Sequence, residues 1–130
     1  MTQKQILEQF YKDCKEFEIE GMPEDFEFGM KSFRREHCCG TIACGAGSLK
    51  HKFGRDYYHV TSDYLIKWVN HEFLFSAMWV VYDNTLEGFF ARAKYLYKEK
   101  EVRHVDRYSG WLNFYRTKAG NIRKKYQTWE

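Results

Sequence analysis

The chain has 130 residues, 44% of them hydrophobic and 19% aromatic, with a formal net charge of +3. That length suits one domain, which on folding removes roughly two-thirds of the unfolded surface from water, so neither metal nor disulfide staples are required. The absence of any run of about 18 apolar residues excludes a membrane span by sequence, and no membrane partner is expected.

The segment Met1-Thr2-Gln3-Lys4-Gln5 lacks the apolar stretch of a secretory signal. Four cysteines without such a signal point to free thiols in a reducing compartment, so the expected location is the cytoplasm. Charge is unevenly spread. Residues 1–36 carry six Lys/Arg against nine Asp/Glu, residues 37–97 six against five, and residues 98–130 nine against four. The last quarter is therefore a basic arm, of the kind that meets nucleic acid, an acidic protein surface or plain solvent.

The first predicted helix runs from Thr2 to Phe17. Thr2 with Gln5 makes a capping-box pattern, and Ile6, Leu7, Phe10, Tyr11, Cys14 and Phe17 recur on one face. Cys14 lies in that stripe and reads as a small buried apolar residue. Gly21-Met22-Pro23 ends the element, and an acidic, Phe-rich segment continues to Phe28. Glycines then cluster at Gly40, Gly45, Gly47 and Gly54, with Thr41-Ile42-Ala43-Cys44 expected to form a short helix opening at Thr41.

Thr61 or Ser62 is expected to cap a helix through Val69. The apolar run from Phe73 to Tyr82 fits a second helical piece or a buried strand, which periodicity alone does not separate. Thr85 is a natural N-cap for the clearest helix, with Leu86, Phe89, Phe90, Ala93, Leu96 and Tyr97 on one face. Glu87 in its first turn and Lys98 near its last suit the helix dipole. In the arm, Tyr108, Trp111, Leu112, Tyr115, Ala119, Ile122, Tyr126 and Trp129 form another stripe, with Gly120 as a break or kink. The expected fold is one mainly helical domain with an aromatic core, with one short strand pair as an option.

His37-Cys38-Cys39-Gly40-Thr41-Ile42-Ala43-Cys44 is the stretch with most chemistry in it. Its thiols and imidazole are zinc-ligand types, but the paired spacing of zinc sites is missing, so no metal or other cofactor is expected. A catalytic thiol at Cys39 would need a helix N-terminus to favour the thiolate and a histidine base from elsewhere, and no complete catalytic set is visible. Gly45-Ala46-Gly47-Ser48-Leu49-Lys50 lacks the spacing of a phosphate loop. The candidate binding residues are Arg103, Arg107, Trp111, Tyr115, Arg116, Arg123, Lys124, Lys125, Tyr126 and Trp129. Cation and aromatic types in that pattern suit either a phosphate backbone or a protein interface.

Phe28-Gly29-Met30-Lys31-Ser32-Phe33, succeeded by Cys39-Gly40-Thr41-Ile42-Ala43-Cys44 and Gly47, resembles a group of small, largely uncharacterised bacteriophage and prophage proteins. Leu74-Phe75, Trp79, Asp83-Asn84-Thr85, Gly88, Arg92 and Tyr95-Leu96 extend the resemblance across residues 28–97, leaving the arm outside it. Cys38 and the charged Lys50-His51-Lys52 depart from that pattern. The resemblance implies a phage setting, hence host takeover or neutralisation of a host defence, and no catalytic role. Physically, the motif reads as a packing unit: Cys39 and Cys44 against Phe28, Met30 and Phe33, with Gly40 and Gly47 allowing close approach.

The expected function is therefore non-catalytic binding of a host protein through the basic arm. A sequence-tolerant nucleic-acid binder, and a small cysteine enzyme or zinc protein, are the alternatives. Oligomeric state is not encoded in any pattern found.

Overall fold

A computed structural model describes residues 2–24, 26–30, 35–37, 40–60, 68–76, 79–100 and 121–130. In chain order the elements are α1 (Gln3–Glu20), β1 (Phe26–Phe28), β2 (Arg35–His37), β3 (Gly40–Ala43), α2 (Gly45–Phe53), α3 (Tyr57–Val60), α4 (Trp68–Phe75), α5 (Trp79–Tyr82) and α6 (Leu86–Glu99). A further helical turn covers residues 121–125. The protein is mainly helical around a buried aromatic core. No described helix is long and apolar enough to cross a membrane.

The start of α1 is set by reciprocal caps: Gln5 N–H donates to Thr2 Oγ1 at 3.2 Å, and Thr2 N–H to Gln5 Oε1 at 2.9 Å. Gly21 ends it, with a φ of 78° that only glycine adopts cheaply and an N–H that returns to the Phe17 carbonyl at 2.8 Å. The helix runs on past its apolar stripe to Glu20, and Ile6, Phe10, Cys14 and Phe17 are all buried.

The short helix expected at Thr41 is instead a strand. Gly40–Ala43 forms the centre of a three-stranded sheet in the order β1-β3-β2, parallel to β1 and antiparallel to β2. Two β-branched residues, Thr41 and Ile42, favour that extended backbone, and pairing on both edges decides it. The helix opens only at Gly45, where Cys44 caps α2 with its sulfur accepting from Gly47 N–H at 3.5 Å. The strand content allowed for in the sequence is realised as a small three-stranded sheet.

The apolar run from Phe73 to Tyr82 is helical on both sides of Ser76, in α4 and α5. Residues 61–67, where a helix start was expected, lie outside the described residues. Thr85 caps α6 as expected, accepting from Gly88 N–H at 2.9 Å.

Phe10 of α1 is the hub of the core. Its ring meets Tyr57, Phe75 and Phe89 edge-on at 5.2, 6.1 and 6.4 Å between centroids. Phe17 meets Phe90 at 5.0 Å, and Phe73 meets Trp79 at 5.9 Å. Such perpendicular pairs add about 0.5–1.5 kcal/mol each beyond the area they bury. Trp79 donates its indole N–H to the Phe73 carbonyl at 2.7 Å, and the buried Arg92 guanidinium lies 4.2 Å over the Trp79 ring. Helix α6 thereby sits between α1 and α4, and its flank receives the end of the chain.

Candidate functional site

The parts of the motif that fall in the described residues converge at one junction. Phe28 and Met30 leave β1, Cys44 starts α2, and Asn84 precedes α6. Met30 N–H donates to Asn84 Oδ1 at 2.7 Å, and Phe28 packs on Phe89 at 6.1 Å. Close approach occurs at Gly45 and Gly88, where an added Cβ would lie under 3.0 Å from the Phe89 ring and the Asp83 carboxylate respectively. Gly40 and Thr41 are strand residues of β3, and Gly47 supplies the N–H that meets Cys44. Phe33, Cys38 and Cys39 lie outside the described residues.

The two described thiols, Cys14 and Cys44, are both held protonated by burial. Burial pushes the Cys44 thiol up, and the N–H groups of Gly47 and Ala46 offset it only in part. Burial likewise raises Cys14, helped by the charges of Asp13 and Glu18. Neither thiol carries the thiolate character that a nucleophile or a metal ligand needs. Among the described residues, no group of three His, Cys, Asp or Glu side chains is placed to hold a metal ion.

A second polar cluster lies between α1 and α3. Buried Asp13 accepts from Tyr57 Oη at 2.5 Å, Gln9 Nε2 at 3.0 Å and Arg55 Nη1 at 3.2 Å. Both oxygens of the carboxylate are engaged within the fold, which fits a pin between elements rather than a proton-transfer group.

The arm is described from residue 121 onward; Arg103, Arg107, Trp111, Tyr115 and Arg116 lie outside that range. Ile122 and Tyr126 are buried, and Tyr126 lies against α6, where it meets Tyr95 at 5.0 Å and its hydroxyl donates to Glu99 at 2.7 Å. The Lys94 ammonium donates to Glu18 Oε2 at 2.5 Å and to the Gln127 carbonyl at 2.9 Å. Trp129 is half-buried on Tyr11 and Tyr97, with its indole N–H on Glu18 at 3.3 Å. So Tyr126 belongs to the core, and Trp129 packs its ring on the body. Arg123, Lys124 and Lys125 remain exposed, with Arg123 3.7 Å from Asp83 and 3.9 Å from Glu87.

Sequence reasoning missed the groove beside this arm. Lys4, Leu7, Glu8 and Tyr11 of α1 face Tyr97 and Lys100 at the end of α6 around a volume of about 710 Å³. The Lys15 ammonium lies 4.8 Å over Tyr97 and 5.5 Å over Trp129, and that of Lys100 lies 5.3 Å over Tyr97. Leu7 and Tyr11 were visible in the α1 stripe. They sit at its edge, and nothing local marks where a stripe leaves the core.

No protein-family model matches the chain, and neither does any curated protein or solved structure. Among the described residues the site offers exposed cations and aromatic edges beside two buried thiols, Cys14 and Cys44.

Proposed function

We propose that the protein is a non-catalytic binding protein which occupies an acidic surface of a host protein, as a phage-type accessory factor acting in the host cytoplasm. One observation carries the reading. Ile122 and Tyr126 anchor the C-terminal turn in the core while Arg123, Lys124 and Lys125 between them stay exposed. The basic face is held in place before any partner arrives, which lowers the ordering cost of association. The phage setting rests on the motif resemblance, and host takeover or anti-defence is the role that setting implies.

Capture from host lysate tests it. The intact protein is expected to retain a specific acidic partner, and the triple variant R123E/K124E/K125E to lose it with an unchanged circular-dichroism spectrum. Recovery of no specific host protein overturns the reading. So does a gel shift with unrelated DNA or RNA fragments whose affinity falls steeply with salt, because counterion release marks phosphate binding.

A further inference from the structure

The groove between α1 and α6 has an apolar floor of Leu7, Tyr11 and Tyr97 and a rim bearing Lys4, Lys100 and Glu8. Its volume of about 710 Å³ falls within the range of pockets that take a few side chains. Two features set it apart from ordinary surface.

Lys100 has a φ of 72°, the only positive value at a described residue other than glycine. Glycine is the usual residue where a helix ends in that conformation, and an L side chain is strained there. Lysine is nevertheless what stands at the rim.

The cations also have a definite arrangement. The Lys15 and Lys100 ammoniums cover the Tyr97 face, and Lys15 covers Trp129 as well. A cationic ligand would meet like charge there. Among the described residues, the lining sets two ammonium groups, Lys4 and Lys100, against one carboxylate, Glu8, around the apolar floor. That is complementary to carboxylates flanking an apolar side chain.

We propose that this groove docks an acidic peptide segment of the partner protein, with one aromatic or leucine side chain seated among Leu7, Tyr11 and Tyr97 and its carboxylates reaching Lys4 and Lys100. The proposal rests on the binding role proposed for the basic arm and names its second contact surface, which Trp129 links to the exposed cations of the preceding turn.

The test is fluorescence anisotropy of the intact protein with a labelled synthetic peptide of Glu and Asp around a central Phe-Leu pair. Saturable binding is expected for this peptide and none for its Lys-for-Glu/Asp counterpart. Exposed ion pairs each contribute up to about fivefold in affinity, so the double reversal K4E/K100E weakens binding roughly tenfold or more. Glu8→Gln tightens it by about twofold to fivefold on the same basis. Lys100→Gly relieves the backbone, so its melting temperature rises while its peptide affinity falls; a purely structural lysine would show the first change alone. Unaltered affinity in K4E/K100E, or equal binding of the Lys counterpart or a labelled oligothymidylate, overturns the groove assignment. If K4E/K100E still captures the host partner while R123E/K124E/K125E does not, the groove fails and the binding role stands. If the intact protein captures no host partner, the binding role fails whatever the peptide does.

Discussion

The backbone N–H of Met30 donates to the side-chain oxygen of Asn84 at 2.7 Å, bridging 54 positions of sequence. Asn84 lies between Asp83 and Thr85, whose hydroxyl donates to Asp83 at 2.6 Å while capping α6. The bond therefore ties the exit of β1 to the first turn of the central helix. Asn84→Ala is expected to cost about 1–2 kcal/mol, because it strands a buried N–H. Asn84→Asp keeps the acceptor and should cost less. Urea midpoints of the two variants check this, and equal midpoints would show that water replaces the amide.

Gly45→Ala tests the closest approach in the core. In an exposed helix that change gains about 1 kcal/mol. Here the new methyl would overlap the Phe89 ring, so a loss of about 1–3 kcal/mol is expected. The double variant with Phe89→Leu should lose less than the two single changes added together, since the smaller side chain makes room. Additive losses would mean that the ring moves freely.

Stability should fall in alkali by a traceable route. Burial, then the hydrogen bond and negative charge of Glu99, push the Tyr126 phenol up to about 12, against about 10 in an unfolded chain. The folded state holds the proton more tightly, so this contribution is intact below pH ~10 and is lost as pH rises toward 12. The buried phenols of Tyr11 and Tyr57 are raised as well. Tyr126→Phe keeps the ring and should remove of order 1–3 kcal/mol of that alkaline decline. Denaturation across the window, tracked alongside phenolate absorbance, measures it.

Lys94→Met should free the end of the chain without unfolding the body. The substitution keeps the apolar stem but deletes both hydrogen bonds, to Glu18 and to the Gln127 carbonyl. A cost of about 1–2 kcal/mol is expected. Limited trypsin digestion should cut sooner after Arg123, Lys124 and Lys125, while α1 and α6 stay protected. Unchanged cleavage would assign the anchoring to the packing of Ile122, Tyr126 and Trp129.

Local signals in the sequence were legible where a short-range rule has no competitor. Thr2 with Gln5, and Thr85 ahead of Leu86, name their helix starts because a cap acts within one turn. The α1 stripe correctly buries Cys14. The helix expected at Thr41 failed because pairing with β1 and β2 is a long-range gain that no local window contains. Glycine roles were legible only in part. Close approaches were expected at Gly40 and Gly47; those at Gly45 and Gly88, which abut Phe89 and Asp83, were not foreseen, because the side chains they meet are set by the fold and not by local sequence. Among the described arm residues, periodicity revealed an apolar face at Ile122, Tyr126 and Trp129. It did not reveal that this face looks inward to α1 and α6 rather than outward to a partner.

The indole of Trp129 and the carboxylate of Glu18 meet across 111 positions of sequence. During synthesis, α1 leaves the ribosome long before the residue that completes one wall beside Tyr11 and Tyr97. The corner shared by Tyr11, Tyr97 and Trp129 is thus assembled from opposite ends of the described sequence, so its integrity reports on the whole fold and not on one segment.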